Sequence, residues 1–157
     1  MLYAFGGGAD GAFPQLTTLV LDSEGNLYGT TPIGGTGKDC SGGCGVVFKV
    51  DQAGHETVLY SFIGNNDNNE DGANPYAGLF RDAAGNLYGT TLRGGTFSDG
   101  TIFKVDSAGA ETVLHAFDSS DGALPHAAVL RDAKGNLYGT TSDGGEFDFG
   151  TVFKLTP

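Results

Sequence analysis

Gly25-Asn26-Leu27-Tyr28-Gly29-Thr30-Thr31 recurs unchanged at residues 85–91 and again at residues 135–141. An Asp stands three residues before each copy (Asp22, Asp82, Asp132), and a Gly-Gly pair follows each (Gly34-Gly35, Gly94-Gly95, Gly144-Gly145). A short apolar run comes next: Val46–Val50, Thr101–Val105 and Thr151–Leu155. Self-similarity of this kind decides the architecture before any local reading, because one repeat cannot bury its apolar face alone.

Aligning the units predicts four strands in each. The first is Thr17–Leu21, matched by Ala77–Arg81 and Ala127–Arg131. A D-x-x-G turn (Asp22 to Gly25, Asp82 to Gly85, Asp132 to Gly135) leads into the second, Asn26–Thr31 and its copies. The Val-Phe-Lys run is the third. A second D-x-x-G turn (Asp51 to Gly54, Asp106 to Gly109) precedes the fourth, Glu56–Phe62 and Glu111–Phe117. Asp opening a turn with Gly three places on fits a type I turn closing on a left-handed residue. Strict alternation puts Val58, Tyr60 and Phe62 on one face, and Val113, His115 and Phe117 likewise. Phe48, Phe103 and Phe153, flanked by β-branched residues, should fill the layer between neighbouring sheets.

Four short antiparallel strands in about 50 residues is the pattern of a β-propeller blade. The first strand carries small residues (Thr17-Thr18, Ala77-Gly78, Ala127-Ala128), which suits blades converging on an axis. The expected fold is therefore all-β, one propeller-type domain over residues 1–157. Its parts are a closing strand (1–5), blade 1 (6–62), blade 2 (63–117) and blade 3 (118–157), the last lacking a fourth strand. Leu2-Tyr3-Ala4-Phe5 matches Leu59-Tyr60-Ser61-Phe62 and can complete such a blade, whose edge is otherwise unpaired. Propellers use about four to eight blades. The expectation is a homodimer forming a six-bladed ring, with each N-terminal strand exchanged into its partner. The rival is that the chain is an excised piece of a longer protein.

A net charge of −11 and a pI near 4.3 speak against binding a phosphate backbone. No apolar run approaches the length of a bilayer span, so membrane insertion is not expected. Residues 1–5 have neither the basic region nor the apolar segment of a signal peptide. Cys40 and Cys44 read as a disulfide stapling one loop, which points to an oxidising compartment. Their spacing misses the C-x-x-C redox pattern, and no second Cys/His pair lies near enough in sequence for zinc.

The text D-G-A-x-P…D-x-x-G-N-L-Y-G-T-T…G-G…G-T-V-F-K-L…E-T-V-L-Y-S-F resembles the Gloeobacter/Verrucomicrobium-type repeat, a family of bacterial extracellular repeat proteins. The resemblance covers essentially the whole chain and implies a secreted or cell-surface β-rich repeat protein of propeller type. It brings no catalytic residues. The chain departs from a plain repeat at two insertions, Gly37–Gly43 and Gly64–Glu70.

Acidic residues concentrate in the long, varied loops, and in a propeller those loops share one face. Phe97, Phe147 and Phe149, with Asp99 and Asp148, lie there without a strand role. Aromatic faces beside carboxylates suit carbohydrate, and repeated weak sites gain avidity. Asp10-Gly11-Ala12, Asp71-Gly72-Ala73 and Asp121-Gly122-Ala123, each with Pro two residues later, read as a fixed turn in which Asp bonds nearby amides. A calcium loop is the sharper reading of one copy. Asp67, Asn69 and Asp71 fit D-x-[DN]-x-[DN]-G, although the twelfth position is Gly78 rather than Glu. His115 is equivalent to Tyr60 and Tyr3, which favours a core ring over a ligand. The expected function is a non-enzymatic binding or structural module. The alternatives are a metal-dependent hydrolase or lyase with its site in the central channel of the ring, and a pure scaffold.

Overall fold

The computed structural model describes residues 1–15, 17–66 and 69–156. The first sheet orders β1 (Val20–Leu21), β2 (Leu27–Thr31), β3 (Val46–Val50) and β4 (Glu56–Ser61) side by side. A small ribbon of β5 (Asn65–Asn66) and β6 (Asn69–Glu70) follows. The second sheet repeats the first with β7 (Phe80–Arg81), β8 (Leu87–Thr91), β9 (Thr101–Val105) and β10 (Glu111–Ala116). The third has β11 (Leu130–Arg131), β12 (Leu137–Thr140) and β13 (Val152–Leu155). All pairings between neighbouring strands within these sheets are antiparallel, and no helix occurs among the described residues. The fold is all-β, built from three meanders.

The repeated heptapeptide is explained by what each residue touches. Asp22 is the hub of the first copy. Its Oδ1 accepts the amides of Glu24 and Asn26, both at 2.9 Å, and its Oδ2 accepts Asn26 Nδ2 at 3.0 Å and Tyr28 Oη at 2.9 Å. Asp82 and Asp132 repeat every one of these bonds. Asp, Asn and Tyr are thus one network that locks each β1–β2-type hairpin. Glycine at the fifth position makes room for a ring. Gly29 faces Phe48 across the β2–β3 ladder, and a Cβ there would stand 2.7 Å from the ring's Cζ. Gly89 meets Phe103 at the same 2.7 Å, and Gly139 meets Phe153 at 2.4 Å.

Two local expectations change. The first strand of each unit pairs over only two residues, not five, and in the second and third units its beginning turns to the preceding sheet. Ala77 O accepts Thr30 Oγ1 at 2.9 Å and Ala127 O accepts Thr90 Oγ1 at 3.2 Å. Strict alternation also fails in the fourth strand. Val47 faces Tyr60 while Phe48 faces Val58, so the ladder slips at Leu59, and it slips again between Val113 and His115. Such an extra residue rotates the rest of the strand. As a result Leu59 packs with Tyr60 and Phe62, whereas Val58 packs with Phe48.

The sheets stack face to face, and the core lies between them. Val20, Tyr28 and Val47 of the first sheet pack on Leu79, Leu87, Phe103 and Val105 of the second. Phe80, Tyr88 and Ile102 of the second pack in the same way on Val129, Leu137, Phe153 and Leu155 of the third. Arg81 lies 5.3 Å over the Tyr28 ring, and Arg131 lies 5.2 Å over Tyr88. The small first strands do approach one another, since a Cβ on Gly78 would sit 2.9 Å from the Thr18 backbone.

Residues 2–5 belong to no ladder in this chain, yet they lie on the first sheet. Phe5 meets Phe48 edge-on with centroids 4.9 Å apart, as Phe62 meets Phe103 at 5.0 Å, and Phe117 meets Phe153 tilted at 5.1 Å. The segment therefore occupies the place that β4 holds before the second sheet. At the other end, β13 has no strand on its outer edge among the described residues.

Candidate functional site

The long loops leave the sheets at one end, and the Asp-Gly-Ala segments anchor them. Asp71 is buried and accepts Tyr60 Oη at 2.6 Å and the amides of Ile63 and Gly64, both at 3.0 Å. Asp10 accepts Tyr3 Oη at 3.0 Å and the amides of Gly6 and Gly8. Asp121 pairs with His115 Nε2 at 2.7 Å and accepts the Asp118 amide at 3.1 Å. The fixed-turn reading holds, and it extends to an aromatic partner: Tyr3, Tyr60 and His115 are the same position serving the same Asp. His115 is half-buried, its ring 4.9 Å edge-on to Phe117.

Electrostatics follow from this burial. Burial pushes the Asp71 carboxyl above its ordinary range, outweighing the hydrogen bonds that favour its charge. Glu111, at the start of β10, is pushed up to about 8 by burial and then by the charge of Asp71. Its Oε1 is buried without a hydrogen-bond partner, as is that of its counterpart Glu56. Of the residues in the calcium motif, Asp67 lies outside the described residues, and of Asn69 only the backbone strand is described. Among the described residues no group of three or more His, Cys, Asp or Glu is placed to hold a metal ion.

The disulfide forms between Cys40 and Cys44, whose Cα atoms are 5.1 Å apart. Cys44 is fully buried in the core between the first two sheets, and its carbonyl accepts the Asn74 amide at 2.8 Å. The staple thereby holds the Asp39–Ser41 stretch beside the second sheet. Between them opens a cleft of about 400 Å³ lined by Asp39, Ser41, Asn74, Arg93 and Ser98. Asn74 is fixed from beneath, donating through Nδ2 to Pro32 O at 2.8 Å. A second cleft of about 610 Å³ occupies the equivalent place on the first sheet, with Phe13 where Asn74 stands and Ile33 where Arg93 stands. Position is repeated; chemistry is not.

Phe97, next to Ser98 of the polar cleft, is 58% exposed, and Phe147 and Phe149 are 75% and 91% exposed. Phe97 stands on the β8–β9 loop and the other two on the β12–β13 loop. Asp99 accepts Ser119 Oγ at 2.8 Å, which ties that loop to the next repeat. Asp148 takes a left-handed backbone, φ 61°, as Ser98 does in the preceding loop at 65°. Arg93 and Asn74 were not candidates from sequence. Their signal was variation inside an otherwise repeated frame, at the positions of Ile33 and Asp143, and of Phe13 and Leu124.

A family model described as the Gloeobacter/Verrucomicrobia repeat matches residues 1–153. The chain belongs to that repeat family. No curated protein matches it. For this member of the Gloeobacter/Verrucomicrobia repeat family, the repeating frame is the Asp-Asn-Tyr network and the Gly–Phe contact. The loops above that frame are where one repeat differs from the next.

Proposed function

We propose that this repeat protein is a secreted, non-enzymatic binding module whose three sheets are consecutive propeller blades, joined as two copies into a six-bladed ring. The ligand class is carbohydrate, taken in clefts between neighbouring blades on the loop face. The observation that carries this reading is the cleft between the disulfide loop and the second sheet. Arg93, Asn74, Asp39 and Ser41 line it with charged and amide groups suited to hydroxyls, and the exposed Phe97 precedes Ser98 of that lining in the chain. A small set of placed polar groups beside an aromatic ring is the usual composition of such a site. The Cys40–Cys44 disulfide supports an oxidising compartment. Because the equivalent cleft on the first sheet is lined by Phe13 and Ile33, repetition supplies sites of differing preference rather than identical ones.

A glycan array followed by titration calorimetry tests the reading. Binding is expected at millimolar to micromolar strength, weakened at least tenfold by Arg93→Ala, or by Phe97→Ala, with the fold retained. An array with no binder, or a binder indifferent to both changes, would remove the carbohydrate reading.

A further inference from the structure

The two internal sheet–sheet seams provide a template for a third. At each, a plug of three residues on one sheet fills a slot on the next: Val20, Tyr28 and Val47 at one, Phe80, Tyr88 and Ile102 at the other. The same repeat positions on the third sheet are Leu130, Tyr138 and Val152. Val47 and Ile102 are 0% and 1% exposed, but Val152 is 84% exposed and Leu130 72%. The slot shows the reverse asymmetry. Leu79 and Val129 are 6% and 2% exposed, whereas their counterpart Leu19 on the first sheet is 46% exposed. That open slot is an apolar cavity of about 380 Å³ between residues 2–5 and the first sheet, walled by Leu19, Leu27, Phe48 and Val50.

We infer that the plug on the third sheet of one molecule fills the slot on the first sheet of a second copy of this chain. Among the described residues, only that surface offers the order of side chains that the internal seams already use. The inference rests on reading the sheets as propeller blades and deepens it by naming the seam and its register. Tyr60 faces Val47 and His115 faces Ile102 across their ladders, so Tyr3 of the second copy faces Val152. The Phe62 amide donates to Gly45 O at 3.0 Å and the Phe117 amide to Gly100 O at 3.0 Å, so the Phe5 amide donates to Gly150 O. Thr140, exposed here, takes the place of Thr30 and Thr90 in bonding the first strand of its neighbour. Leu21, 66% exposed, stands at the position of Arg81 and Arg131, so the neighbouring sheet brings an apolar side chain rather than an arginine to the third tyrosine, whose ring already carries Lys154 of its own sheet at 5.8 Å. A head-to-tail contact either closes or runs on as a fibre. Two copies close at six blades, within the usual range.

The test is light scattering on a sizing column with three forms of the protein. Wild type is expected at twice 16.1 kDa, and Val152→Glu as a folded monomer with unchanged strand circular dichroism. The Tyr3→Cys/Val152→Cys double variant should form a covalent dimer on oxidation, and neither single variant should do so. Wild type that stays monomeric at 100 µM (a concentration on the order of a weak interface's Kd), a trimer, or a dimer indifferent to Val152→Glu would overturn the inference. A monomer that still shows a nuclear Overhauser contact between the Tyr28 ring and Arg81 loses the second copy but keeps the blade reading. A dimer without the engineered cross-link, together with loss of that contact, removes both.

Discussion

Asp82 is the residue on which the second repeat turns. Two backbone amides, an amide side chain and a phenol converge on its carboxylate. Burial opposes its charge, but the bonds from Asn86 and Tyr88 outweigh that and hold the carboxyl below its ordinary range. Asp22 and Asp132 are lowered as well, chiefly by Asn26 and Asn136. A lowered folded-state pKa means stability that is present above the unfolded value near 4 and is lost as pH falls through the folded value. Thermal melts should therefore drop steeply below about pH 4, and Asp82→Ala should remove about 1–3 kcal/mol at pH 7 by orphaning its donors. Glu111 has the opposite sign. Its carboxyl, raised to about 8, favours the folded state while protonated, so its contribution is complete below about pH 4.5 and is lost as pH rises through 8. Glu111→Gln should flatten that decline and raise the melting temperature at pH 9, by upward of about 1 kcal/mol in stability. A variant that melts with the wild-type pH profile would disprove the assignment.

At the scale of the element, each hairpin depends on a glycine that leaves space and on a left-handed residue that turns the chain. Gly89→Ala drives a methyl group against the Phe103 ring in a fully packed layer, and a loss of about 1–3 kcal/mol is expected in urea unfolding. The D-G-A-x-P connection places its x residue at φ 56° (Phe13), 56° (Asn74) and 53° (Leu124). Only asparagine tolerates that conformation readily. Leu124→Asn, which copies the second repeat into the third, should stabilise by about 1 kcal/mol in the same assay. These elements were largely legible in the sequence. Turn residues, the Val-Phe-Lys runs and the disulfide are dictated by neighbours within a few positions, and local chemistry writes them plainly. The short first strands and the slip at Leu59 were not legible. Ala77 and Ala127 bond to a different sheet, and a ladder slip depends on which neighbour a side chain meets.

For the whole molecule, the second sheet is the protected one and the third is the open one. Its β9 is buried at Thr101, Ile102, Phe103 and Val105, while β13 alternates between exposed and half-buried. In a monomeric Val152→Glu variant, amides of β12–β13 should exchange at least about tenfold faster than those of β8–β9, because local opening exposes fewer buried contacts there. Equal protection would show that the third sheet is held by something other than its neighbour. By itself the sequence determined the repeat, the number of strands in each of the three main sheets, the turns and the disulfide, since each follows from residues close together in the chain. Only the tertiary structure decided where the cleft beside Arg93 opens. It also decided which apolar side chains lack a cover. Those depend on residues some 40 or more positions apart, such as Pro32 and Asn74, brought together by the stacking of sheets.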